Sequence, residues 1–331
     1  MTERSRSFLD TKDLVVGYKT ASGENRLFEN LNLSLYPGEL VCFMGPNGSG
    51  KSTLIRSIAG LQKPLAGSVN IHRAGNNKID PTQIAVVLTD RITAVNLTVY
   101  ELIGFGRYPY LGWNISLTQK DKAMIDQSIE LVHVGHLIHK RLFELSDGQL
   151  QMVMIARALA QDTPVILLDE PTAHLDLNNR VEIMNLLRNL SRTTQKAILV
   201  STHELDLALQ TADLIWLTGK DRNMLTGVPE DLVLDGSFDE IFRFKGFDLK
   251  TGKLKHEAFR GIAIQLSGKG HEYLWTKNAL ERCGYDVINS EAAVSINISQ
   301  EAGRTEWQLR KSDKLFTTMS LQLLIKTLEE L

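Results

Sequence analysis

GPNGSGKST, residues 45–53, is the stretch on which the reading of this chain turns. It fits G-x-x-x-x-G-K-[ST], with LVCFMG (40–45) running into it and STLIRSIAGL (52–61) running out. The first run is apolar throughout and reads as a buried strand. The second has its apolar positions at helical spacing. A glycine-rich turn between strand and helix aims backbone N–H groups inward and forms an anion nest. Gly48 and Gly50 permit the bend. Lys51 has the reach for β- and γ-phosphates, and the Ser52 hydroxyl can ligate Mg2+. Without its neighbours the stretch would be an ordinary glycine turn; the flanking strand and helix favour the phosphate reading.

Two further strand ends add acids and a histidine. VILLDE (165–170) is apolar up to Asp169 and Glu170. A carboxylate at the end of a buried strand suits Mg2+, which makes Asp169 the candidate ligand. Glu170 beside it can orient or deprotonate an attacking water. The pair could also simply terminate a strand, but the phosphate loop upstream argues otherwise. AILVSTHE (197–204) ends another apolar run at His203. That residue would stand beside the γ-phosphate if the strands are neighbours; taken alone, a histidine there is more often structural.

ELSDGQLQ (144–151) leads into MVMIARALA, and the spacing predicts a helix from Leu150 onward. Ser146 to Gln149 would then sit at its N-terminus, where unpaired N–H groups attract anions. A plain helix cap and a phosphate site both fit these residues.

The 331 residues allow two domains, or one large domain with an appendage. Thirty-seven basic residues against 39 acidic ones give a net charge of −2, so the whole chain has no attraction for nucleic acid. The two cysteines, Cys42 and Cys283, make neither a disulfide framework nor a zinc pattern, and a reducing cytoplasm fits. The opening MTERSRSFLDTKD has no apolar core of a secretory signal, and no apolar run is long enough to span a bilayer.

DLVVGY (13–18) and LFENLNLSLYPGEL (27–40) read as an antiparallel edge with a turn at 21–25. SVNIH (68–72), IAVVLT (84–89) and DLIWLT (213–218) read as strands. Residues 98–157 look helical, with breaks at 109–113 and at Gly135, and a further helix follows at 178–190. Apolar strands separated by helices indicate a parallel sheet covered on both faces. From about residue 255 the pattern changes to strand, helix, strand, strand, helix, a small α+β unit.

The order GPNGSGKST, LSDGQ, VILLDE, TAHLD and then His203 resembles the ATP-binding cassette (ABC) ATPases over about residues 10–245. The resemblance implies an α/β fold: a P-loop core with an antiparallel β edge and a helical subdomain (95–155), together spanning 8–250, then a C-terminal α+β appendage over 255–331. It implies ATP and Mg2+ as cofactors. Gly45, Pro46, Asn47, Gly48, Ser49, Gly50, Lys51, Ser52 and Thr53 would hold the phosphates, and Tyr18 would stack on adenine. Lys51, Glu170 and His203 would be the catalytic set, with Ser52, Asp169 and Asp90 around the metal. Ser146, Gly148 and Gln149 would face the nucleotide of a second copy, in a head-to-tail dimer that sandwiches two ATPs. Asp176 in AHLD would cross the dimer interface.

Three features depart from the family pattern. Asp147 stands where the common signature has glycine, and its side chain is expected to turn away from phosphate. Leu150 and Met152 follow where arginine is frequent. The glutamine expected after the strand at 84–89 is absent, and Asp90 or Thr89 occupies its place.

NLTVYELIGFGRYPYLGW (96–113) is similar to the helical region of importers for iron–siderophore, haem and cobalamin. That branch implies membrane permease partners, a substrate-binding protein acting indirectly, no nucleic acid partner, and a peripheral position on the cytoplasmic face of the inner (plasma) membrane. An exporter subunit, or a soluble ABC ATPase not linked to transport, is the alternative. The plainer reading of 96–113 is an amphipathic helix and turn whose Tyr108, Tyr110 and Trp113 form an aromatic patch. His133, His136 and His139 recur every third residue, and solvated surface histidines explain them better than a metal site.

Overall fold

The computed structural model describes residues 6–21, 23–72, 80–89, 96–113, 116–254, 256–301, 304–312 and 314–330. The chain divides into two compact units, Met1–Arg243 and Phe244–Leu331.

Among the described residues of the first unit, six strands form the central sheet. Their order is Met224–Gly227, Leu214–Thr218, Leu40–Met44, Ala197–Ser201, Val165–Asp169, Ile84–Val87. All neighbours run parallel except Met224–Gly227, which is antiparallel to Leu214–Thr218. Leu40–Met44, Val165–Asp169 and Ala197–Ser201 are buried at every position, as strands covered on both faces must be. Val41 and Phe43 face the core shared with the helix Lys51–Ile58 and the antiparallel strands. There Phe28, Phe43 and Trp216 pack in sequence, with ring centroids 6.2 and 6.4 Å apart.

The antiparallel sheet joins Gly23–Leu31, Leu9–Thr20 and Ser34–Leu35, with Ala66–Ile71 also paired to Leu9–Thr20. The strand expected over 27–40 is thus split, because residues 32–33 and 36–39 leave the ladder before the phosphate-loop strand begins.

The helical segment contains Val99–Gly104, a 3-10 turn at Phe105–Tyr110, Gln119–Val132 and Asp147–Ala160. Thr98, Thr118 and Ser146 each start a helix through a reciprocal capping box. Arg107, from the GRYP stretch, is buried. Its Nε donates to Asp121 Oδ1 at 2.9 Å and its Nη1 to the Ala160 carbonyl at 2.8 Å, which ties three of these elements together. No helix among the described residues is long and apolar enough to cross a membrane.

In the second unit a five-stranded sheet of described residues runs Asp286–Ile288, Ala263–Ser267, Val294–Glu301, Arg304–Lys311, Lys314–Thr318. The first three are parallel and the rest antiparallel. Helices Gly270–Arg282 and Leu321–Glu330 accompany it. The core includes Ile264, Leu280, Ile296, Leu309 and Leu324. Trp307 is buried with its Nε1 donating to Thr276 Oγ1 at 2.7 Å, which satisfies the indole N–H.

Candidate nucleotide site

The sheet register brings several chain segments to one edge. Phe43 pairs with Ser201, Ser201 with Asp169, Leu168 with Val87, and Met44 with Leu217. The loop from Gly45, Thr202–His203, Glu170, and Leu88–Thr89 therefore all emerge at the carboxyl ends of adjacent parallel strands. That is where open α/β sheets bind ligands.

Gly50 caps the helix Lys51–Ile58 at φ 102°, a left-handed conformation that a side chain would strain. Lys51 is buried and folds back over the loop, Nζ donating to the carbonyls of Gly45 (2.9 Å) and Pro46 (3.2 Å). Burial lowers its pKa below the ordinary 10.5, while the carboxylates of Glu170 and Asp169 pull the other way. The three groups thus share one electrostatic field. Ser49 Oγ is buried with no hydrogen-bond partner. An orphaned hydroxyl and a lysine resting on two carbonyls fit a phosphate, which would take donors from both. Ser52 is exposed on the same turn. Thr53 is buried, and its Oγ1 lies 2.7 Å from the Tyr18 hydroxyl. The Tyr18 ring is half exposed and lines a cavity of about 410 Å3 with Gln62, Pro64 and Leu65, a space that suits a planar base.

Asp169 is buried and accepts from Ser201 Oγ at 2.6 Å. The Glu170 N–H in turn donates to Ser201 Oγ (3.0 Å) and to the Ser201 carbonyl (3.1 Å). Glu170 sits at φ 48°, a left-handed conformation uncommon for a non-glycine residue, immediately after the strand ends. Glu170 Oε2 is 3.9 Å from His203 Nδ1, and His203 Nε2 is 3.5 Å from Glu204 Oε1. Glu204 is held by Arg180 at 2.6 Å. The position of Asp90 lies outside the described residues. Thr89 is described, and its hydroxyl donates to the Asp169 carbonyl at 2.8 Å.

The signature helix begins at Asp147, three residues earlier than its periodicity predicts, because polar Ser146 and Gln149 close a capping box. Gln149 N–H donates to Ser146 Oγ at 3.2 Å and Ser146 N–H donates to Gln149 Oε1 at 3.2 Å. Within one chain the stretch is therefore a helix cap. Ser146, Gly148 and Gln149 also line a cavity of about 260 Å3, shared with Asn179 and with His133 and His136. Asp147 lines a different cavity, of about 70 Å3, with Thr89, Glu170 and His174. The acid in place of glycine thus lines the cavity that Glu170 lines and not the one lined by Ser146 and Gly148. Asp176 caps the helix Leu177–Thr194, accepting from Asn179 N–H (2.9 Å) and Asn179 Nδ2 (2.8 Å). His139 does not join the other two histidines at the signature cavity, and no three His, Cys, Asp or Glu among the described residues form a metal-binding group.

Sequence reasoning missed Ser201, Asn179 and the Arg180–Glu204 pair. Ser201 had a readable signal, as the lone hydroxyl in the otherwise apolar AILVS. Asn179 and Arg180 carry no such mark.

The ABC transporter family model matches residues 28–173, and a second, the iron ABC transporter C-terminal domain, matches 261–329. The chain is 37% identical over 293 residues to an uncharacterised ABC transporter ATP-binding protein of Methanocaldococcus jannaschii, covering 85% of this chain and 98% of that protein. It is 36% identical over 241 residues to a petrobactin import ATP-binding protein of Bacillus anthracis, covering 72% and 87%. Among solved structures, the dimeric structure of a bacterial ABC transporter cassette superposes with a TM-score of 0.54 at 30% identity, over 63% of this chain and 93% of that one. With the phosphate loop, the acid pair and the signature helix in this arrangement, the chain belongs to the ATP-binding proteins of ABC transporters.

Proposed function

We infer that this chain hydrolyses Mg2+-bound ATP to power an importer of the iron–siderophore, haem or cobalamin class. It would act as a head-to-tail homodimer on integral permease subunits, peripheral to the cytoplasmic face of the inner (plasma) membrane, with a substrate-binding protein engaged indirectly. The ATPase part, expected over residues 8–250, is assigned to the first unit, and the second unit, from Phe244 on, is an appendage to it. The observation that carries the reading is the shared sheet edge, where Lys51, Asp169, Glu170 and His203 meet in one field. Support for the iron class comes from the petrobactin import relative and the iron-transporter C-terminal family.

Residues 45–53 cradle the phosphates and Tyr18 backs the adenine. Ser52 and Asp169 would hold Mg2+, whose charge neutralises phosphate oxygens when it is bound. Asp90 remains a proposed third contact. Glu170 orients the attacking water and accepts its proton. His203, beside Glu170, holds the γ-phosphate end. Ser146, Gly148 and Gln149 close over the nucleotide of the second copy, with Asp176 at the interface.

The test is purification with native permease partners, then reconstitution. Expected are Mg2+-dependent ATP turnover stimulated by the permease, and uptake of a ferric siderophore that Lys51→Ala abolishes. Turnover without any permease partner or uptake would overturn the importer reading.

A further inference from the structure

The second unit carries a cavity of about 540 Å3 to which nucleotide chemistry gives no role. The helix Gly270–Arg282 supplies Trp275, Asn278, Ala279 and Arg282 to one wall. These positions are three, four and seven apart and share one helix face. Thr276 and Leu280, from the opposite face, are buried. Phe247 and His256 line the cavity from the segment before this helix.

Trp275 is 65% exposed, a large indole left open over the cavity. The side chains of Arg282, His256 and Asn278 make no hydrogen bond or ion pair with any described residue. Glu281, the acid on the wall, is already paired with Lys277 at 3.6 Å. The cavity therefore presents aromatic walls, a free guanidinium, a free amide and an uncompensated positive charge. Its volume falls within the roughly 300–1,000 Å3 of ordinary small-ligand sites.

We propose that this cavity binds a small planar aromatic carboxylate, with its ring on Trp275 and its charge on Arg282. Indole offers a flat apolar face, and guanidinium matches a carboxylate with two parallel N–H groups. Asn278 supplies a further donor. The proposal stands whether or not the chain serves an importer.

The probe is 2,3-dihydroxybenzoate, titrated calorimetrically into the full chain, with cyclohexanecarboxylate as a charged but non-aromatic control. The probe should bind in the micromolar to millimolar range, and the control several-fold more weakly. Arg282→Gln should weaken the probe about tenfold and Trp275→Ala several-fold, with unchanged circular dichroism since both side chains are exposed. Saturating ATP should leave the affinity unchanged. No heat at millimolar probe, equal affinity in both variants, or displacement by ATP would each overturn the proposal, the last because the probe would then occupy the nucleotide site.

Discussion

Ser201 Oγ donates to Asp169 Oδ1 at 2.6 Å and accepts from the Glu170 N–H at 3.0 Å. One buried hydroxyl thus orients both acids at the end of the strand Val165–Asp169. Ser201→Ala leaves the buried carboxylate short of a donor and frees the Glu170 turn. Turnover should fall roughly tenfold, about 1.4 kcal/mol in the barrier. The Mg2+ concentration for half-maximal rate should rise. Steady-state ATPase assays across a Mg2+ series check this, and an unchanged Mg2+ dependence would separate Ser201 from the metal site.

Glu170→Gln keeps the shape and removes the base. Hydrolysis should drop by at least about a hundredfold, while ATP binding and ATP-dependent dimerisation persist. Turnover near the parent rate, measured beside equilibrium ATP binding, would remove Glu170 from its proposed role.

A Cβ on Gly148 would fall 2.8 Å from Asn179 Cγ, and Asn179 is itself tied to Asp176. Gly148→Ala should therefore displace Asn179, disturb the Asp176 cap and weaken ATP-dependent dimerisation. The double variant with Asn179→Ala makes room for the added methyl and should recover part of the loss. Sedimentation with ATP reads the outcome; no recovery would mean that the loss has another origin than this contact.

Cysteines introduced by Ser49→Cys and Ser146→Cys should crosslink between subunits when ATP is bound. Crosslinks only within one chain, or independent of ATP, would leave LSDGQ as a helix cap and nothing more. Gel mobility after partial oxidation distinguishes these outcomes.

Arg107 and Asp121 form a buried ion pair at 2.9 Å. The Thr118 hydroxyl bond, its backbone N–H and Arg107 outweigh burial and hold the Asp121 carboxyl below its ordinary 3.8. A depressed acid contributes stability that is fully present above the unfolded value and is lost as pH falls through the folded one. Asp121→Asn strands the guanidinium and should cost about 3 kcal/mol near neutrality. The gap between parent and variant should narrow below pH 3.8. Urea unfolding at several pH values measures it, and a pH-independent gap would contradict the ionic account.

Sequence alone determined the strand, glycine loop and helix around residues 40–61, the acids at 169–170 and the family. These are written in contiguous residues, where periodicity and loop chemistry act over a few positions. Tertiary structure alone decided what holds them. Ser201 meets Asp169 from 32 residues away, and Thr89 meets it from 80. Such contacts follow from strand order and register, which packing of both sheet faces sets. The short strands Asp286–Ile288 and Lys314–Thr318 were invisible for the same reason: few residues, weak alternation, and pairing supplied by neighbours. The signature helix starts at Asp147 because two polar side chains satisfy each other's backbone, a reciprocal fit that apolar periodicity does not record.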